Sequence, residues 1–207
     1  MDILSHGLWA AAGAKGASGS SRLGSSNKKL NPYWAFFWGM FPDLFAFAIP
    51  VVWVLINAAM GTLPQGGWPG RNEFEPSAHD GLPVMKLATT LYQYSHSAVV
   101  FTGVLLVVCL IARSQKWRFP LEMLGWPLHI LMDIPTHSYR FFPTPVLWPI
   151  SQWKFDGVSW AHPLFITVDY GLLVIVFLLL RKRSSTVIPA REPESRNDRG
   201  SSGQARG

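Results

Sequence analysis

The chain has a single cysteine, Cys109. One thiol makes no intramolecular disulfide, so a secreted disulfide scaffold is excluded, and so is a metal site built on several thiolates. Charge is the second scarcity: 14% of the 207 residues are Asp, Glu, Lys or Arg, against about 25% in an ordinary soluble domain. The last 24 residues, Ser184 to Gly207, hold seven of the 30 charged side chains, so the rest of the chain is poorer still. No basic residue precedes the first apolar stretch, which argues against a signal peptide, and there is no internal repeat. What is abundant is apolar surface. Hydrophobic residues make up 49% of the chain, with ten tryptophans and thirteen phenylalanines, which excludes a wholly disordered chain and points to a small membrane protein.

The net charge of +6 raises nucleic acid as a partner, but the placement of the basic residues answers it. Lys28 and Lys29 precede the apolar stretch Trp34 to Ala59. Arg113, Lys116 and Arg118 follow Leu91 to Ala112, and Arg181, Lys182 and Arg183 follow His162 to Leu180. This is the positive-inside pattern of a membrane protein. No recognition helix is apparent, and no nucleic acid is expected.

Trp34 to Ala59 is 26 residues, about 39 Å of helix at roughly 1.5 Å per residue, enough to cross with tilt, and Pro42 and Pro50 are expected to kink it. Gly61 to Lys86 reads as an external loop, and Leu91 to Ala112 as the return. Phe119 to Ile134 is a marginal third span, with Pro120, Glu122 and Pro127 inside it and Pro135 stopping it. Thr136 to Ala161, rich in Trp, Phe and Pro, reads as an interfacial loop whose Trp148, Trp153 and Trp160 form an aromatic belt. His162 to Leu180 is the last span. Met1 to Ala14 reads as a short apolar helix and Gly13 to Lys29 as a flexible linker. The expectation is therefore an all-α, polytopic membrane helical bundle over residues 1–183, with about four transmembrane helices, a short N-terminal helix and both termini cytoplasmic. Residues 184–207 are expected to form a disordered polar cytoplasmic tail.

Inside these apolar stretches lie Asp43, His96, His129, Asp133 and Asp169, with Glu122 near an end. A carboxylate at the bilayer centre costs roughly 2.5–3.5 kcal/mol even on lenient scales, so such groups need a partner or a metal. His129-Ile-Leu-Met-Asp133 is the sharpest feature, because residues four apart on a helix share one face. Imidazole and carboxylate together make a mixed N/O site suited to a divalent ion such as zinc or manganese, and an intrahelical hydrogen bond is the alternative. His137 continues the spacing, but Pro135 is expected to turn it away. Counted from the basic ends, Asp43, His129 and His96 lie at depths of roughly 13, 15 and 24 Å, so a shared polar cavity is geometrically reasonable. Asp43, after Pro42, also fits a first-turn acid of a helix, and His6 also fits a helix lying on the membrane surface. His79, Asp80 and Asp156 read as solvated loop residues, and Asp169 as a partner to another helix.

His6, Met-Phe-Pro-Asp43, Tyr-Ser-His96-Ser and the long string His129-Ile-Leu-Met-Asp133-Ile-Pro-Thr-His-Ser, followed by Phe-Pro-Thr-Pro and Leu-Trp-Pro, carry a resemblance. Over roughly Met1 to Leu180, the chain resembles the bacterial inner-membrane, metal-dependent hydrolases once described as LexA-binding. That family is in turn distantly similar, in its spaced His and Asp residues, to zinc-dependent phospholipases C and P1-type nucleases. The resemblance implies His6, Asp43, His96, His129 and Asp133 as metal ligands, with zinc the expected ion. The chain departs from the family at Phe45, where a second acid often stands, and at Leu91-Tyr92-Gln93-Tyr94, where His-Arg is often found. One ion rather than a multinuclear centre is the consequence.

Two functional classes follow. In the first, a membrane-bound hydrolase uses a divalent ion to bring the pKa of a bound water towards about 7 and to polarise a phosphoryl or acyl oxygen. Asp43 or Asp133 is then the general base, Arg140 a candidate contact to a phosphate oxygen, and membrane lipid or a lipid-linked phosphoester the substrate class. In the second, the His and Asp groups form an ion or proton pathway or a structural knot in a non-enzymatic four-helix protein. Haem held by His96 and His129 is a variant of the second.

Overall fold

The computed structural model describes residues 1–18, 29–63 and 83–185. Over these the chain is helical, with no strand: α1 (Ile3–Ser18), α2 (Pro32–Ala59), α3 (Pro83–Ser95), α4 (Ala98–Ser114), a 3-10 turn at Leu121–Leu124, α5 (Gly125–Thr136) and α6 (Pro163–Ser185). Most of the expected external loop, with His79 and Asp80, most of the linker and the tail beyond residue 185 lie outside the described residues. The N-terminal helix is longer than expected. It continues past Ala14 to Ser18, because Ala14 is buried against the bundle and Gly16 faces Leu180.

α2 starts where its sequence provides a cap. The Asn31 side chain accepts from the backbone N–H of Tyr33 at 2.9 Å and of Trp34 at 3.4 Å, and Pro32 takes the first helical position, where a missing N–H costs nothing. The helix then runs without a break through Pro42 and Pro50 to Ala59. α2 and the Pro163–Lys182 part of α6 are each long and apolar enough to cross a membrane. α3 and α4 make a third such stretch if the pair, bent by 59°, counts as one broken span. Two to three candidate spans are fewer than the four expected.

The difference lies in Phe119 to Ile134. Pro120 precedes a 3-10 turn rather than a helix, and α5 proper has only 12 residues, about 18 Å, against a hydrocarbon thickness of about 30 Å. Pro127 is tolerated as its third residue, where no intrahelical N–H is required. The helix also passes through Pro135 to end at Thr136, two residues later than the sequence suggests. The aromatic loop then folds back on that end. Gly157, Val158 and Trp160 donate their backbone N–H groups to the carbonyls of His137, Pro135 and Thr136 at 2.8, 2.9 and 3.1 Å, which satisfies carbonyls the helix end leaves open.

Helix directions follow from the contacts. α1 runs antiparallel to α2, with Gly7 against Phe36 and Met40, and Ser18 Oγ accepting from Leu30 N–H at 2.9 Å. α5 runs parallel to α2: Gly125 lies at Ala35 and Gly39, and beyond the helix Phe141 stacks on Phe47. The end of α1 with Lys15, the start of α2, Glu122 (which accepts from Asn31 N–H at 2.9 Å) and the Leu180 region of α6 therefore share one end of the bundle. Two apolar clusters bracket the middle. Phe101, Met123, Trp126 and Ile130 lie towards the basic end, and Ala46, Ala88, Tyr92 and Phe142 towards the other. Outside them the surface is apolar. Leu110 is 69% and Leu164 67% exposed, which suits lipid and is costly in water.

α6 is attached sparsely, and Asp169 is its main polar anchor to α1. Asp169 is buried and accepts from Ser5 Oγ at 2.5 Å and from Trp9 Nε1 at 2.8 Å, while Tyr170 Oη donates to Asp2 Oδ1 at 2.9 Å. This is the interhelical pairing the sequence suggested for Asp169. Asp169→Ala leaves two donors without their acceptor, so we expect a loss of about 1–2 kcal/mol in unfolding free energy of the detergent-solubilised protein. Leu164→Ala, at an exposed apolar position, is expected to leave it within about 0.5 kcal/mol.

Candidate metal centre

The site is built where two helices are interrupted or end. Between α3 and α4, Ser97 leaves the helix and caps α4: its Oγ accepts from Val99 and Val100 N–H, both at 3.1 Å, and donates to the Trp148 carbonyl. The break sets His96 at the elbow, fully buried. It also frees the Ser95 carbonyl, which accepts Trp126 Nε1 of α5 at 2.6 Å. A discontinuous helix in an apolar bundle is a common way to bring backbone and side-chain polar groups to one buried point.

Asp43 of α2, His96 of the elbow, and His129 and Asp133 of α5 converge there. One ligand atom from each can be chosen so that all four lie within 4.8 Å of one another, and all four residues are buried. His96 Nε2 is 3.4 Å from both Asp43 Oδ1 and Asp133 Oδ2; His129 Nε2 is 3.7 and 3.1 Å from the same oxygens; the two Nε2 atoms are 3.0 Å apart. At metal–ligand lengths of about 2.0–2.1 Å, tetrahedral donors are separated by roughly 3.4 Å. The spacing suits one ion.

The orientation of the rings supports the same fit. His129 Nδ1 is 2.7 Å from the Gly39 carbonyl oxygen, an acceptor only, so Nδ1 carries the proton and donates. In the neutral ring Nε2 then presents a lone pair towards two carboxylate oxygens, an arrangement that needs a cation or a proton between them. His96 Nδ1 is paired with Ser95 Oγ at 2.9 Å, again leaving Nε2 aimed inward. Asp133 Oδ2, fully buried, has no hydrogen-bond partner. A buried carboxylate oxygen facing imidazole lone pairs is costly unless an ion completes it. The group can hold a metal ion.

His6 sits beside these four. Its ring stacks on His129 with centroids 3.7 Å apart, and its Nε2 lies 2.8 Å from the other oxygen, Asp133 Oδ1, without hydrogen-bond geometry. Asp133 Oδ1 also accepts from the Met1 ammonium at 2.8 Å and approaches His137 Nδ1 at 3.2 Å. The contact with His137 corrects the expectation that Pro135 turns it away. Pro135 sits within the last turn of α5, so the period of four carries on from Asp133 to His137, which is buried.

Asp43 is likewise not a first-turn acid, since α2 begins eleven residues earlier, at Pro32, and runs through it. Arg140 is exposed on the loop after α5 and is not among the clustered groups; its N–H donates to Ser138 Oγ at 3.2 Å. The haem variant does not fit, because 3.0 Å between His96 Nε2 and His129 Nε2 leaves no room for a macrocycle. Two participants escaped the sequence reading. Tyr92, buried, stacks on His96 with centroids 3.6 Å apart. The Gly39 carbonyl has no side-chain signature at all.

The chain matches no family model, no curated protein and no solved structure.

Proposed function

We propose that this protein is a membrane-embedded, metal-dependent hydrolase of the bacterial inner membrane, in which Asp43, His96, His129 and Asp133 hold one zinc ion. The observation that carries this reading is the convergence of two inward-facing Nε2 atoms and two carboxylates at near-tetrahedral spacing in a buried position. A divalent ion there supplies Lewis acidity and brings water towards ionisation near neutral pH. The chain does the rest. The Gly39 carbonyl and Ser95 hold the two imidazoles in register. The Met1 ammonium donates to Asp133 Oδ1 and supports the charge of that carboxylate, with His6 and His137 packed beside the same oxygen. Asp43 meets both histidines through Oδ1, and its second oxygen is the proton acceptor in this reading.

The exposed apolar flanks of α4 and α6 support a site at lipid depth, and the substrate class in this reading is a lipid or lipid-linked phosphoester. The reading takes in the kinship suggested by the His129 to His137 string, with Phe45 and Tyr92 replacing further ligands. It also places the C-terminal end of α6 on the cytoplasmic side, with α5 and the loop after it together making the traverse that α5 alone is too short to make; Met1, expected on that side too, instead lies buried beside Asp133. A reporter fused after Gly207 is expected to be active only in its cytoplasmic form.

The test of activity is release of a water-soluble phosphoester from phospholipid, or of inorganic phosphate from a lipid pyrophosphate, by the purified full chain. Turnover is expected to vanish with chelator and return with zinc, and Asp43→Asn is expected to lower kcat by roughly 10²–10⁴-fold. Zinc-replete wild-type protein that turns over neither substrate class sinks the hydrolase reading and leaves a structural or ion-conducting polar centre.

A further inference from the structure

α6 touches α1 at two levels, at Asp169 with Ser5 and Trp9, and near the basic end where Gly16 faces Leu180. Between them the helices leave a groove of about 430 Å³, within the range of about 300–1,000 Å³ typical of ligand sites. Its walls are apolar, with Leu8 on α1 and Leu173 and Phe177 on α6. Lys15 and Arg181 line it at the basic end, Tyr170 lines it at the other, and no acidic side chain lines it among the described residues. Val174 and Leu178, each 59% exposed, form its open lip.

We infer that this groove is a binding site for an anionic phospholipid, one acyl chain lying along α6 and the phosphate held between Lys15 and Arg181. The α6 positions recur every three or four residues from Tyr170 to Arg181, so they form one stripe about 16 Å long at roughly 1.5 Å per residue. That is about half of a 30 Å hydrocarbon core, the depth of one leaflet. Guanidinium offers a forked contact to phosphate oxygens and the lysine a mobile point charge. A zwitterionic headgroup would bring its own cation to the same place. Basic residues at the end of an apolar interhelical groove on the positive side are the arrangement that selects anionic headgroups. The inference rests on the membrane placement of α6 and not on any reaction at the His/Asp centre.

The experiment uses the full chain in phosphatidylcholine vesicles, with incorporation scored first by flotation. Spin-labelled phosphatidylglycerol and spin-labelled phosphatidylcholine are then compared for the motionally restricted fraction. Wild type is expected to prefer phosphatidylglycerol by roughly thirtyfold, each of two basic side chains contributing about fivefold. Lys15→Gln with Arg181→Gln removes the preference, Lys15→Arg with Arg181→Lys keeps most of it, and Val174→Trp reduces restriction of both lipids at the groove. Equal restriction of the two lipids by wild type overturns the site. So does a preference that survives the double glutamine variant, which would assign the anion contact elsewhere, for instance to residues 186–207. Failure to incorporate overturns the membrane placement and this site with it.

Discussion

Replacing His129 and Asp133 together by alanine yields protein without divalent metal, whereas wild type, purified in detergent without chelator, carries about one ion per chain. Plasma mass spectrometry of the two preparations measures this directly. The effect is expected to be complete rather than graded, because the pair supplies two of four ligands from successive turns of one helix. Asp133 has a second burden. Its Oδ1 faces the Met1 ammonium, His6 and His137, and stripping the acid from buried partners costs about 3–5 kcal/mol. His96→Gln separates the two effects: it removes one ligand at the elbow while leaving Asp133 and the groups around its Oδ1 in place, so metal is lost with the helical content intact. Wild type that carries no stoichiometric metal, or a His129→Ala, Asp133→Ala variant that keeps it, removes the basis of the metal reading.

Gly39→Ala is expected to damage the fold and the site at once. A methyl at Gly39 would lie 2.7 Å from Ala10 Cβ and 2.7 Å from the His6 carbonyl oxygen, with Gly7 Cα at 3.1 Å. Two of those three atoms are backbone and cannot rotate away, so α1 must shift. Overpacking of this kind costs about 1–3 kcal/mol. The same residue's carbonyl fixes the His129 ring, and loss of such an orienting contact lowers metal affinity by roughly 10–100-fold. The comparison that gives this meaning is Gly13→Ala and Gly103→Ala. Both glycines are helical, nothing lies within 4 Å of an added methyl, and alanine there is expected to be neutral or stabilising by up to about 1 kcal/mol. Thermal unfolding and zinc titration of the three variants check the contrast, and equal behaviour of all three contradicts the close-packing account.

Much of this was legible in the residues. Low charge, basic flanks and apolar runs indicated helices and a lipid setting, and α2 and α6 lie where the hydropathy puts them. His129 and Asp133 were readable because a helical period is local: spacing of four on a helix is enough to put two side chains on one face. The same locality misled at Pro135. A proline is a break in a peptide, but in the last turn its missing N–H and its ring are tolerated by a helix held from outside, and His137 stays in line. Phe119 to Ile134 failed as a span for the complementary reason, since apolar composition does not distinguish a helix that crosses lipid from a short one buried between its neighbours.

What the sequence indicated by itself was an apolar exterior that suits a membrane, the helical class and the residues worth suspecting: five ionisable groups inside apolar stretches. What only the tertiary structure decided was which of them meet. Asp43, His96 and His129 are 33 to 86 positions apart along the chain, and no local period links them. Their meeting depends on an elbow at Ser97, on glycines that let α1 and α5 close upon α2, and on a loop that seals the end of α5. These are contacts between distant segments, whose geometry is set by packing, and packing has no signature in any one stretch of sequence.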